Sequence, residues 1–265
     1  MLVLVNQMFG PAQNAAVTVA TRLASRTNTF AQSIVTSISP AIISAHGAGK
    51  RERMLRLVFR VSKLGGMLAA LASLPLLLEA QEVMRLWLKK PPAESPFLCV
   101  CVLVVLFLGK ISSGERIAIS ASGRMAAYQV GAGSVSILAV PAAWLMMRNG
   151  LGLAAVGYVS IGVAVVNVAQ RVFFAHRLAG ISAGDWLRRV ALPLAGLVLV
   201  GGAVASVPHL AMASSLLRFV VTTLAAEAVM LPFAWFAVID AEEQAYVREK
   251  FAKARTRLMN GAGRA

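Results

Sequence analysis

Two arginines one helical turn apart, Arg22 and Arg26, are the only charges between Pro11 and Ser44. A guanidinium is a planar fork of donors that grips phosphate or carboxylate oxygens in pairs, so this spacing suits an anion. Asn14, Thr18, Ser25, Thr29 and Gln32, continued by Thr36 and Ser39, recur with them at three- or four-residue steps. That period draws one polar stripe along a helix, with hydrogen-bonding groups suited to sugar hydroxyls. The other face carries Ala16, Val19, Ala20, Leu23, Phe30, Ile34, Ile38 and Ile42. The two arginines could equally pair with acids on another segment or hold helices together. The helix itself reads as a membrane span with one wet face, or as a soluble amphipathic helix.

A second stripe, Lys110, Ser113, Arg116 and Ser120, follows an apolar run. Glu115 beside it is the obvious countercharge, so an internal ion pair and a ligand contact are both open, and Arg116 could snorkel to headgroups. Glu227 stands alone in a long apolar stretch, nine residues after Arg218. Intramembrane carboxyls are costly and mark functional sites by default, so Glu227 is a candidate for ion coupling or for structural pairing. No Ser/His/Asp set, phosphate-cradling glycine loop or metal-ligand spacing can be assembled. Cys99 and Cys101 sit within an apolar run, and His46, His176 and His209 lie far apart. No catalytic residue, metal or cofactor is expected; the chain does not read as an enzyme.

The elements that must carry these groups follow from composition. The 265 residues are 58% hydrophobic and 14% charged, with a net charge of +15. Soluble domains carry about 25% charged residues, and disordered basic tails lack such apolar content. The basic excess alone would suggest nucleic acid, but the hydropathy excludes that reading. A span needs roughly 20 apolar residues. Phe59 to Leu78, Phe97 to Ser120, Tyr128 to Met147, Leu153 to Phe174, Val190 to Val207 and Leu216 to Ile239 qualify. With the helix from Pro11, the expectation is an all-α polytopic bundle of about seven spans. Arg22 would lie about 16 Å along its helix and Arg26 about 6 Å further, both near the midplane. Met1 to Phe9 lacks a charged start and a cleavage pattern, and reads as a helix stub whose beginning lies upstream.

Loop charge sets orientation. Of the 26 basic residues, 17 fall on one set of alternating connections and the tail, four on the other set and five within spans. The positive-inside rule then places the basic connections and the C-terminus in the cytoplasm. Residues 1–239 form the membrane bundle and 240–265 a basic tail. Tyr246, Phe251, Ala254 and Leu258 would share one side of a tail helix, on anionic headgroups or in solvent.

An ordered set of short motifs carries a resemblance. It comprises Asn6-x-x-Phe9-Gly10-Pro11-x-x-Asn14-Ala15-Ala16, Asn28-x-Phe30, Ser39-Pro40-x-Ile42, Ser62-Lys63, Leu74-Pro75-Leu76 and Leu86-Trp87-Leu88. Ala121-Ser122-Gly123-Arg124, Tyr128-Gln129, Val140-Pro141-x-x-Trp144 and Gln170-Arg171 follow. From Leu4 to about Pro193 the chain resembles the middle of bacterial polysaccharide or O-antigen flippases of the multidrug/oligosaccharidyl-lipid/polysaccharide exporter superfamily. Val17 stands where members often have Arg, and Arg22 and Arg26 where Gln and a small residue are commoner.

The resemblance implies a C-terminal lobe of a two-lobed transporter in the bacterial inner membrane. It implies an undecaprenyl-diphosphate-linked oligosaccharide as substrate, with Arg22 and Arg26 on the diphosphate and Lys110 and Arg116 in the same cavity. The partners implied are membrane lipids and an N-terminal half, supplied by an upstream extension, a separate half-chain or a second copy. Truncation is the favoured expectation. A drug or cation exporter lobe and a nontransporting scaffold are the alternatives; the basic stripe disfavours the former.

Overall fold

The computed structural model describes residues 6–7, 11–88, 93–240 and 244–245. The predicted stub at Met1 to Phe9, apart from Asn6 and Gln7, and nearly all of the basic tail lie outside the described residues.

The described residues are helical almost throughout and contain no strand. The cause is the same in every apolar segment: without water, each backbone amide must find its partner inside its own helix. The chain runs through α1 (Pro11–Gly47), α2 (Arg51–Leu78) and the short α3 (Ala80–Leu88). Next come α4 (Ser95–Lys110) and α5 (Ser113–Ala121). Four long helices complete it: α6 (Ala126–Leu151), α7 (Ala154–Ala179), α8 (Ala183–Ala211) and α9 (Leu216–Val238).

Five of these helices, α2 and α6 to α9, are long and apolar enough to cross a membrane. The pair α4–α5 makes a sixth if its two pieces count as one span bent by 46°. The stretch from Phe97 to Ser120, expected as one span, is divided between these two helices. The helix α1, with 37 residues, has length to spare for a bilayer but falls short in apolarity. The expected number of about seven spans is reached only by adding it to the other six. This is an all-α polytopic bundle, a membrane protein by the length and hydropathy of its helices.

Helix α2 is the central post, packed against α1, α4, α5, α8 and α9. Its buried residues include Gly65, Gly66, Ala69, Ala70 and Ser73, small side chains that let neighbouring backbones come close. A close approach is at Gly114 at the start of α5, where a Cβ would run into the Val58 carbonyl and Ser62 Oγ of α2. One core gathers α2, α5, α8 and α9 around Val58, Ile119, Leu194, Leu197 and Met230. A second joins the first half of α1 to α3, α4 and the α6–α7 turn through Ala16, Met84, Leu103 and Leu153.

The outside of the bundle divides by chemistry. Helices α6, α8 and α9 expose Ile137, Leu199, Leu210, Leu224 and Phe236, each more than 60% accessible, and α7 exposes Val165 and Phe173 by about half. An apolar surface of this kind belongs against lipid tails. The exposed face of α1 is instead built from Thr21, Arg22, Ser25, Arg26, Thr29, Ser33, Thr36 and Ser37.

Candidate functional site

The polar face of α1 divides as a 3.6-residue period requires. Arg22, Ser25, Arg26 and Thr29 are exposed, whereas Asn14, Thr18 and Gln32 lie half-buried on its border. Neither arginine has an acidic partner among the described residues. The hydroxyls of Thr18 and Thr29 bond back to the carbonyls of Asn14 and Ser25, which hides their polarity inside the helix when no ligand is present. Asn14 Oδ1 and Asn28 Oδ1 are buried without a hydrogen-bond partner.

At the border, α1 meets the break between α4 and α5. Gln32 Oε1 accepts from Lys110 Nζ at 2.6 Å, bringing two predicted site residues together. A cleft of about 350 Å³ opens there, lined by Asn28, Gln32, Lys110, Ser113, Arg116 and Arg171 among others. Among the described residues its lining holds three cations and no carboxylate.

The break frees carbonyls, and side chains take them all. Ser112 Oγ donates to Leu108 O, Arg171 Nη1 to Gly109 O, Ser113 Oγ to Lys110 O and Trp186 Nε1 to Ile111 O, at 2.9 to 3.4 Å. Broken helices persist at membrane depth only when protein satisfies the freed groups in this way. Arg171 also reaches Ser112 Oγ and the Tyr128 hydroxyl. It therefore fixes α7 to the bend and to α6, while lining the cleft.

The expected role of one acid is corrected. Glu115 is not the countercharge of Lys110 or Arg116. It is fully buried and turned toward α2, where Ser62 Oγ donates to its Oε2 at 2.6 Å and accepts from the Gly114 amide. The helix turn explains this: Glu115 and Arg116 are successive residues and must point about 100° apart. Arg218, on the same helix as Glu227, is committed elsewhere. Arg218 donates to Glu79 Oε2 through Nε and Nη2, at 3.1 and 2.7 Å. Glu227 is half-buried, with no ion pair among the described residues.

Glu79, at the end of α2, is the best-satisfied carboxylate of the described residues. Besides Arg218 it receives Thr222 Oγ1 at 3.2 Å, and His209 Nδ1 at 2.9 Å when that nitrogen carries the proton. Burial pushes its pKa up, but the bonds and charges of His209 and Arg218 outweigh this and hold the carboxyl below its ordinary value. The knot ties α2 to α8 and α9 at one end of the bundle.

At the other end the basic connections meet. Arg51 Nη2 donates to Gly180 O, Lys63 pairs with Asp240, and Arg53, Arg56, Arg60, Arg188 and Arg189 surround one cleft. Ser62 and Lys63, a motif pair in the sequence, thus face opposite tasks: one holds Glu115 and the other Asp240.

No family model, curated protein or solved structure matches the chain.

The site's capacity follows from its charges. Arg22 and Arg26 on an exposed face, with Lys110, Arg116 and Arg171 around the adjacent cleft, can bind a multivalent anion. The uncharged hydroxyls and amides of α1 can hydrogen-bond a polar substituent of that anion. Arg171 and Asn28 were absent from the predicted site. Both stand in short motifs, Gln170-Arg171 and Asn28-x-Phe30, but neither spacing points at a break in a distant helix.

Proposed function

We propose that this chain is one lobe of a membrane transporter for a lipid-linked oligosaccharide, in which α1 and the α4–α5 break line the substrate path. One observation carries the reading. In a bundle whose other outer helices expose leucine, isoleucine and phenylalanine, the exposed face of α1 presents arginine, serine and threonine. A face of that kind is stable beside water or beside a polar partner, not beside lipid tails.

A diphosphate-linked sugar matches it in kind. Two guanidinium groups one turn apart offset the cost of bringing a dianionic diphosphate to membrane depth, and the flanking Ser, Thr and Asn groups suit a sugar. A broken helix at the cavity, with charged side chains at the break, is a recurring way for transporters to build a midplane site. A second lobe facing α1 would enclose the path, and alternating access would proceed by one lobe rocking on the other. The orientation proposed is that of the inner membrane with the C-terminus in the cytoplasm, because the basic connections gather at one end.

The test is binding to the purified full chain in detergent. A farnesyl-diphosphate-linked N-acetylglucosamine is titrated and followed by tryptophan fluorescence. The wild type is expected to bind it, with affinity falling at least tenfold in Arg22→Ala/Arg26→Ala and in Lys110→Met. A scaffold predicts no binding that those changes alter. A cation-exporter lobe predicts tetraphenylphosphonium binding in its place. Either result would overturn the proposal.

A further inference from the structure

Away from α1, the inner turns of α2 carry Arg53, Arg56, Arg60 and Lys63, at steps of three, four and three residues. That spacing stacks the four on one face of a helix. The face looks at the start of α8, which contributes Arg188, Arg189 and Pro193, and at the end of α9 with Ala237 and Val238, followed by Asp240. Together with Leu57 and Phe59 these residues line a cleft of about 820 Å³, larger than the cleft at the α4–α5 break. Among the described residues its lining carries six cations and one carboxylate, with Arg53, Arg188 and Arg189 on the exposed side. From Arg53 to Lys63 it spans about 15 Å along the helix axis.

Its walls are of two kinds. Arg53, Arg188 and Arg189 are exposed at the mouth. Further in, Lys63 is buried at 5% side-chain exposure and held by Asp240. The Arg189 guanidinium lies 5.6 Å from the Phe59 ring centroid, so the aromatic face joins the charged mouth to the apolar wall of Leu57, Pro193, Ala237 and Val238. A small soluble anion has no use for that wall. A membrane lipid needs both kinds.

We propose that this cleft binds a phosphate-bearing amphiphile, an anionic phospholipid of the surrounding leaflet carrying at least two negative charges. Its phosphates sit among Arg53, Arg188 and Arg189, and its first acyl carbons lie on Leu57, Pro193 and Ala237. The bound lipid bridges α2, α8 and α9, helices that the Glu79 knot joins only at the opposite end. This site is independent of the transport reading: it shares no residue with α1 or with the α4–α5 break.

The full chain is purified, stripped of lipid, and titrated in a neutral detergent with diphosphatidylglycerol, phosphatidylglycerol, phosphatidylcholine and inorganic pyrophosphate, with bound lipid counted by native mass spectrometry. Diphosphatidylglycerol is expected to bind most tightly and phosphatidylcholine not to be retained. Arg53→Gln/Arg188→Gln/Arg189→Gln, all at exposed positions, should weaken binding by roughly fivefold per cation, on the order of a hundredfold together. The control Arg124→Gln/Arg148→Gln/Arg177→Gln, which removes the same charge elsewhere, should stay within about twofold of the wild type, since those residues lie outside the cleft. Equal weakening by both triple variants would replace the cleft with a diffuse charge effect. Pyrophosphate displacing the lipid at equal concentration would make the cleft a soluble-phosphate site. Equal retention of phosphatidylcholine would remove the anion altogether. Each of these three results overturns the proposal.

Discussion

Replacing Glu79 by Gln should be among the most damaging single changes available at either end of the bundle. The side chain is 0% exposed and that of Arg218 only 10%. Four donors converge on its two oxygens: Arg218 Nε and Nη2, Thr222 Oγ1 and His209 Nδ1. Glutamine keeps the volume but leaves the guanidinium without a counterion. It also turns one acceptor into an NH₂ group facing donors. Breaking a buried pair from one side costs about 3–5 kcal/mol, because the remaining charge stays desolvated. Unfolding should be followed by tryptophan fluorescence in dodecyl maltoside titrated with sodium dodecyl sulfate. In the Arg218→Met background the same change should cost much less, since no orphan charge remains. The pH dependence has a defined sign. The folded-state pKa of Glu79 lies below its ordinary 4.5, so its contribution is complete above 4.5 and is lost as pH falls through the lower, folded value. A cost below about 1 kcal/mol, or an equal cost in both backgrounds, would refute the reasoning, since either would mean the knot holds nothing.

Two further outcomes test the packing. Gly114→Ala should destabilise by about 1–3 kcal/mol, because its Cβ meets the Val58 carbonyl of α2, which cannot turn aside. Gly109→Ala, with open space at its Cβ, should be neutral or gain up to about 1 kcal/mol by helix propensity. Equal effects in the same unfolding assay would discount the α2–α5 contact. Cys99 and Cys101 are 0% and 1% exposed. A maleimide coupled to polyethylene glycol should leave both unmodified in dodecyl maltoside and shift the band by two adducts after denaturation. A shift in the native state would contradict the packing of α4 on α7.

The polar face of α1 was legible because periodicity is local. Residues at three- and four-residue steps share a face whatever surrounds the helix, so the exposure of Arg22, Ser25, Arg26 and Thr29 could be read before any neighbour was known. The bend between α4 and α5 was not legible in the same way. Neither Gly nor Pro stands between Lys110 and Ser113, and the freed carbonyls are satisfied by Arg171 and Trp186, about 60 and 75 residues further on. The partners of the buried acids were lost for a related reason. Sequence proximity suggested the Lys110 and Arg116 stripe for Glu115 and named no partner for Arg218. The helical turn directs adjacent side chains apart, and Arg218 finds Glu79 across 139 residues.

The sequence by itself determined that the chain is helical and apolar, roughly where each long helix lies, and that α1 differs from the rest in carrying a polar stripe along most of its length. These are properties of composition and period, and they need no partner. Only the tertiary structure decided which charges meet. It gathered Lys110, Arg116 and Arg171 around one cleft, closed Glu79 in a knot, and brought the arginines of α2 and α8 to a common mouth. Such pairings are chosen by which small residues let two backbones approach, as at Gly114. That choice lies in the surfaces of whole helices, beyond what neighbouring residues in the chain can encode.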